Sequence, residues 1–184
     1  AAAVRGSAIL DGLSTDLEAV SRIPGAVASS LRSATVPRIG LYQPWGGSMD
    51  EGWTRYILDR FEFDYSTVHN AEIVASRLGD RYDVLVFPSI PPRQLLEGLA
   101  VDSTAPRYAG GIGPEGILAL QSFASDGGTI VFIDQSTNLA LDEFNVPLSN
   151  VVRGVATEDF YCPGSVLRVS LDNSHPVEIG RAHV

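Results

Sequence analysis

Lysine is absent from this chain, and all 13 basic residues are arginine. Without a lysine amine there is no Schiff-base chemistry and no phosphate-loop lysine. Cysteine occurs once, as Cys162, which excludes an internal disulfide. No apolar run approaches the roughly 20 residues of a membrane-spanning helix. The arginines are scattered and the net charge is −9. Nucleic acid and anionic membrane are thereby disfavoured as partners, because both need a concentrated basic face.

What is present suits a folded domain. The chain has 184 residues, and 45% of them are hydrophobic, enough for one buried core with a short flank. Residues 1–34 are rich in Ala, Ser and Gly with weak periodicity, and are expected to be a linker or the end of a preceding domain. The amino terminus shows neither an initiator Met nor a signal-peptide pattern, as expected of a piece of something longer. At the other end, Glu178–Val184 is what a common sequencing adapter (GAG ATC GGA AGA GCA CAC GTC) encodes. Those residues are expected to be a non-native tail that packs on nothing, leaving 35–177 as the domain.

Strand and helix signals alternate along that domain. Strands are expected at Arg38–Gln43, Phe63–Val68, Tyr82–Ser89 and Ile130–Ile133, with further candidates at Val151-Val152 and Ser165–Leu171. Ser48 with Glu51 three residues on is a capping box, so a helix starts there, its buried stripe expected to be Met49, Trp53, Tyr56, Ile57 and Phe61. Helical segments are also expected at Ala71–Leu78, Gln94–Leu99, from Pro114 to Gly127-Gly128, and at Leu139–Phe144. Residues 100–113 make a loop long enough to suggest function. This order is a doubly wound parallel α/β pattern. The all-apolar Ile130–Ile133 is expected to be central in the sheet, and a late element of the sheet is expected to be missing.

Asp134 leaves that strand at its carboxyl end, where open parallel sheets gather ligands and catalytic groups. The stretch Gly127–Asn138 resembles the nucleophile turn of class I glutamine amidotransferase-like domains, with aspartate where that family carries cysteine and Ser136 where such turns often carry glycine. More widely, Pro37–Trp45, Ser48–Trp53, Tyr82–Ser89, Gly110–Gly116 and Phe160–Ser165 resemble the amidotransferase-like domain that follows the catalytic domain in bacterial zinc carboxypeptidase-like proteins. The resemblance implies a three-layer, flavodoxin-like α/β fold, truncated at its carboxyl end. It also implies a secreted or periplasmic parent that hydrolyses peptides with zinc, a preceding peptidase domain as partner, and no zinc within this stretch.

Each candidate group has two readings. Gly46-Gly47, entering a capped helix, offers free amides to an anion or is simply a tight turn, and Trp45 is placed to cover a ligand. With Ser89, Asp134, Gln135 and Ser136 these residues form the candidate small-ligand site, opening on one cleft. Asp134 alone would cap the following helix, bind a ligand, or act as nucleophile or base. His69-Asn70-Ala71-Glu72 has the H-x-x-E spacing of zinc carboxypeptidases, with His175 downstream, but it follows a strand of a different fold and is read as coincidence. Cys162 with His175-Pro176 would suggest a glutaminase, but this thiol precedes a strand instead of leaving one, and is read as structural. No residue is assigned as catalytic, and the function expected is a non-catalytic accessory module, the alternative being a hydrolase or amidase that uses Asp134.

Overall fold

Four short segments pair side by side: β1 (Ile39–Tyr42), β2 (Tyr65–Val68), β3 (Val84–Phe87) and β4 (Thr129–Phe132). All run parallel, in the order β2-β1-β3-β4. The computed structural model describes residues 36–75, 77–162 and 168, and divides into two units, Ala1–Leu148 and Ser149–Val184. The sheet lies in the first unit. The connections carry α1 (Met49–Arg60), α2 (Asn70–Val74), α3 (Leu78–Arg81), α4 (Pro92–Glu97) and α5 (Gly113–Ser125), and α6 (Thr137–Glu143) follows β4. The fold is thus α/β with an all-parallel sheet, as the strand–helix alternation indicates.

The register puts Leu85 beside Ile130 and Phe87 beside Phe132, so those side chains share one face. There they meet Ile73 of α2, Leu95 of α4, Leu120 and Phe123 of α5, and Leu139 of α6. The Phe87 ring stacks against Tyr42 at 4.9 Å and Phe132 at 5.1 Å, which runs one aromatic layer across three strands. The first strand is anchored at its start by Arg38. Its guanidinium donates to Asp83 Oδ1 (2.7 Å) and to the Gly79 carbonyl (2.9 Å) in α3. The hydrogen bonds that Asp83 accepts from the Arg38 guanidinium and backbone N–H, with the positive charge behind them, hold its carboxyl down to about 2.

Among the described residues only α1 lies on the other face, and it lies there in the opposite sense to the one expected. The residues it turns inward are Glu51, Thr54, Arg55 and Leu58, at i, i+3, i+4 and i+7. Met49, Trp53, Tyr56, Ile57 and Phe61 are all exposed. The reason is the chemistry of β2 beneath the helix. Arg55 donates to Tyr65 Oη (3.3 Å) and Thr67 Oγ1 (3.2 Å) while pairing with the buried Glu51 carboxylate, so a polar helix face finds polar partners on the sheet. Ser48 does cap α1, accepting from Glu51 N at 3.2 Å, but Glu51 turns to Arg55.

A second correction concerns β4. Among the described residues it is an edge strand, not a central one. Ile130 and Phe132 reach the core, whereas Val131 and Ile133 point to the face of α1 and stay exposed, because α1 sits over β1 and β2. In the second unit, Val151-Val152 forms a turn, Val152 N donating to Asn150 Oδ1 (3.1 Å) and the Val152 carbonyl accepting from Val155 N (3.2 Å). His175, the tail 178–184, residues 1–34 and, apart from Arg168, the strand candidate Ser165–Leu171 lie outside the described residues.

Candidate functional site

In a parallel sheet whose order reverses, the crevice opens where the chain leaves adjacent strands in opposite directions, here between β1 and β3. β1 exits through Gln43-Pro44-Trp45-Gly46-Gly47. A turn closes with Gly47 N donating to the Pro44 carbonyl (3.1 Å), and Gly47 takes the positive φ of 74° that the turn into α1 requires. The turn pushes Trp45 sideways over β2. Its ring stacks on His69, centroids 3.7 Å apart and 14° from parallel, while Tyr108 meets it edge-on at 4.7 Å. Arg107 lies 4.3 Å over the Tyr108 ring and completes an aromatic tier at this edge.

His69 is fixed at both ends. Its ring Nδ1 donates to the Gln43 carbonyl (2.7 Å), and its backbone N–H donates to Glu72 Oε2 (3.1 Å) at the start of α2. The H-x-x-E spacing is therefore a helix-start device. Among the described residues no three His, Cys, Asp or Glu side chains converge on a point where an ion could sit. Below this tier a buried polar pair ties three segments together. Tyr42 donates to Asn70 Oδ1, and Asn70 Nδ2 donates to the Gly110 carbonyl at 2.7 Å. Burial raises the Tyr42 hydroxyl well above its ordinary range and keeps it a donor.

The Gly110 bond closes the long loop. Leu99 bridges Ala109 and Gly110, so residues 99–110 form a lobe with its ends pinned together. This lobe carries Tyr108 against Trp45 and fills the crevice. The cavity left beside Tyr42, Trp45, Asn70 and Gln94 measures only about 10 Å³, which is near the volume of one water.

A second group stands over β3 and β4. Ser89, at the exit of β3, donates to Asp134 Oδ2 at 2.6 Å. Asp134 leaves β4 on a sharp turn with φ at +51°, a left-handed conformation that a non-glycine residue rarely adopts. Its carboxylate takes the Ser89 hydroxyl, and no helix amide is recorded on it. The serine two residues on, Ser136, is fully buried. Its hydroxyl accepts from Ile133 N (2.9 Å) and sits 3.0 Å from the Phe87 carbonyl, stitching the end of β4 to the end of β3. Gln135 is exposed on the short 3₁₀ turn Asp134–Ser136.

The seven candidate residues thus fall into two groups, Trp45 with Gly46 and Gly47, and Ser89 with Asp134, Gln135 and Ser136. The small cavity is lined by Trp45 and Gly46, and neither Ser89 nor Asp134 reaches it. Cys162 belongs to the second unit and carries no disulfide. Residue-type reasoning missed Tyr108 and Asn70. The one available signal was the Arg107-Tyr108 pair inside a loop of suspicious length. Compared with protein-family models, curated proteins and solved structures, the chain matches none.

Proposed function

We propose that the domain is a non-catalytic, amidotransferase-like accessory module with a flavodoxin-like arrangement, acting by packing or ligand binding within a larger zinc-carboxypeptidase-like protein. The preceding peptidase part of that protein is its partner, and zinc belongs to the parent. The observation that carries the reading is Asp134, an aspartate on a left-handed strand-to-helix turn whose recorded side-chain partner is a serine hydroxyl. That turn has the sharpness of a nucleophile turn, while its carboxylate is engaged by a neutral donor with little capacity as a base. The strand order β2-β1-β3-β4 with helices on both faces agrees with the fold that the resemblance implies. The pinned 99–110 lobe, which leaves little volume at the crevice, favours packing over capture of a large substrate.

A second reading, hydrolysis with Asp134 as nucleophile or base, draws on the exposure of its carboxylate. Ammonia release from glutamine separates the two. The purified chain is expected to show none above the buffer rate, both as wild type and as Asp134→Ala. Turnover in the wild type that Asp134→Ala abolishes selects the hydrolase.

A further inference from the structure

Among the described residues, the outward face of α1 departs from an ordinary surface. Met49, Trp53, Tyr56, Ile57 and Phe61 recur at helical spacing and are 50% to 78% exposed. Trp53 and Tyr56 meet edge-on with centroids 6.1 Å apart, so the stripe is continuous at its middle. Side chains of this kind carry about 150–250 Å² each, so at half exposure or more the five present roughly 500–700 Å². The largest apolar patch on an ordinary monomer is about 300–600 Å², and specific interfaces begin near 600 Å² per partner. The stripe alone approaches what a stable dimer needs.

The charges on α1 indicate which partner fits. Asp50 stands at the amino end and Arg60 at the carboxyl end, both exposed, and among the described residues neither side chain has a recorded partner. An antiparallel crossing of two copies about a two-fold axis near Arg55 pairs position i with position 110 − i. Met49 then faces Phe61 of the other copy, Trp53 faces Ile57, and Asp50 faces Arg60. Each pair occurs twice by symmetry. The macrodipoles of two antiparallel helices also oppose favourably. A foreign partner needs a separate basic and apolar surface, whereas a second copy already carries the complement.

We propose that α1 is a homodimerisation helix, its apolar stripe closing on that of a second copy in an antiparallel, two-fold arrangement. The inward-facing Glu51 and Arg55 are the counterpart of that arrangement: the helix has its polar face on the sheet and its apolar face free for the partner.

Sedimentation equilibrium on the whole chain tests this. The wild type is expected to associate to twice its 19.6 kDa mass in the micromolar range. Trp53→Glu is expected to weaken the dimer at least about 100-fold, as loss of a central aromatic anchor does, with the far-UV circular dichroism unchanged. Asp50→Arg and Arg60→Asp should each weaken it about tenfold by facing like charges twice, and the two together should restore it. A wild type that stays monomeric at 200 μM overturns the proposal. So does a dimer indifferent to Trp53→Glu, or a double charge reversal that fails to restore association.

Discussion

Gly98→Ala is expected to lower the stability of the domain by about 3 kcal/mol or more, the largest effect of any single methyl group in the crevice region. Gly98 ends α4 at φ 61° and ψ −143°, a combination that is nearly glycine-only. A Cβ there would also sit inside the van der Waals envelope of the Gly110 carbonyl, the atom that Asn70 holds. Neither strain can relax alone, because Gly110 N is bonded to Leu99 O and Gly110 O to Asn70. For a domain of this size the loss corresponds to a fall of roughly 6–12 °C in Tm. Gly110→Ala is the control. It also has a positive φ, at 76°, but a Cβ there meets nothing within 4 Å. It should cost only about 1 kcal/mol. Thermal and urea unfolding of the two variants should therefore separate clearly, and equal costs would remove the close approach from the explanation.

Asn70→Ala is expected to cost about 2–3 kcal/mol by the same measurements. The side chain serves two groups at once, accepting from Tyr42 and donating to Gly110. Removing it leaves a buried hydroxyl and a loop carbonyl unpaired, and unmade buried bonds cost more than made ones contribute. Adding Tyr42→Phe to Asn70→Ala should recover about 1 kcal/mol by removing the stranded hydroxyl. If the double variant is no more stable than Asn70→Ala, the Tyr42–Asn70 bond is not what ties the 99–110 lobe to the sheet.

The parts of this fold that were legible in the sequence were those that a periodic pattern encodes directly. The apolar cores of β1, β3 and β4, the Pro114 start of α5 and its Gly127-Gly128 stop all lie within a few residues of where the chain has them. The helix α1 was located correctly and oriented wrongly. Its hydrophobic spacing is real, but spacing alone does not say whether the stripe meets the sheet or a partner. The contrary signal was Glu51 and Arg55, four apart, above a β2 that presents Tyr65 and Thr67. The edge position of β4 was illegible for a related reason. An apolar run records burial in the whole assembly, whereas the described sheet leaves Val131 and Ile133 uncovered. Trp45 and Asp134 were singled out by their places after strands, but their separation into two groups was not legible, because Trp45 is held by His69 and by Tyr108 of the 99–110 lobe. The pinned ends of that lobe depend on Asn70 and Gly98, which have no local sequence signature.

Asp134 is the residue on which the functional account turns, and a double-mutant cycle with Ser89 interrogates it directly. Ser89→Ala, Asp134→Ala and the pair should be compared by urea unfolding. If the carboxylate serves to join the exits of β3 and β4, each single variant should lose about 1–2 kcal/mol, and the pair should lose little more than either, giving a coupling near 1 kcal/mol. If the carboxylate is instead held ready for chemistry on its left-handed turn, removing it should be neutral or stabilising. A coupling near zero with a stabilised Asp134→Ala would contradict the account.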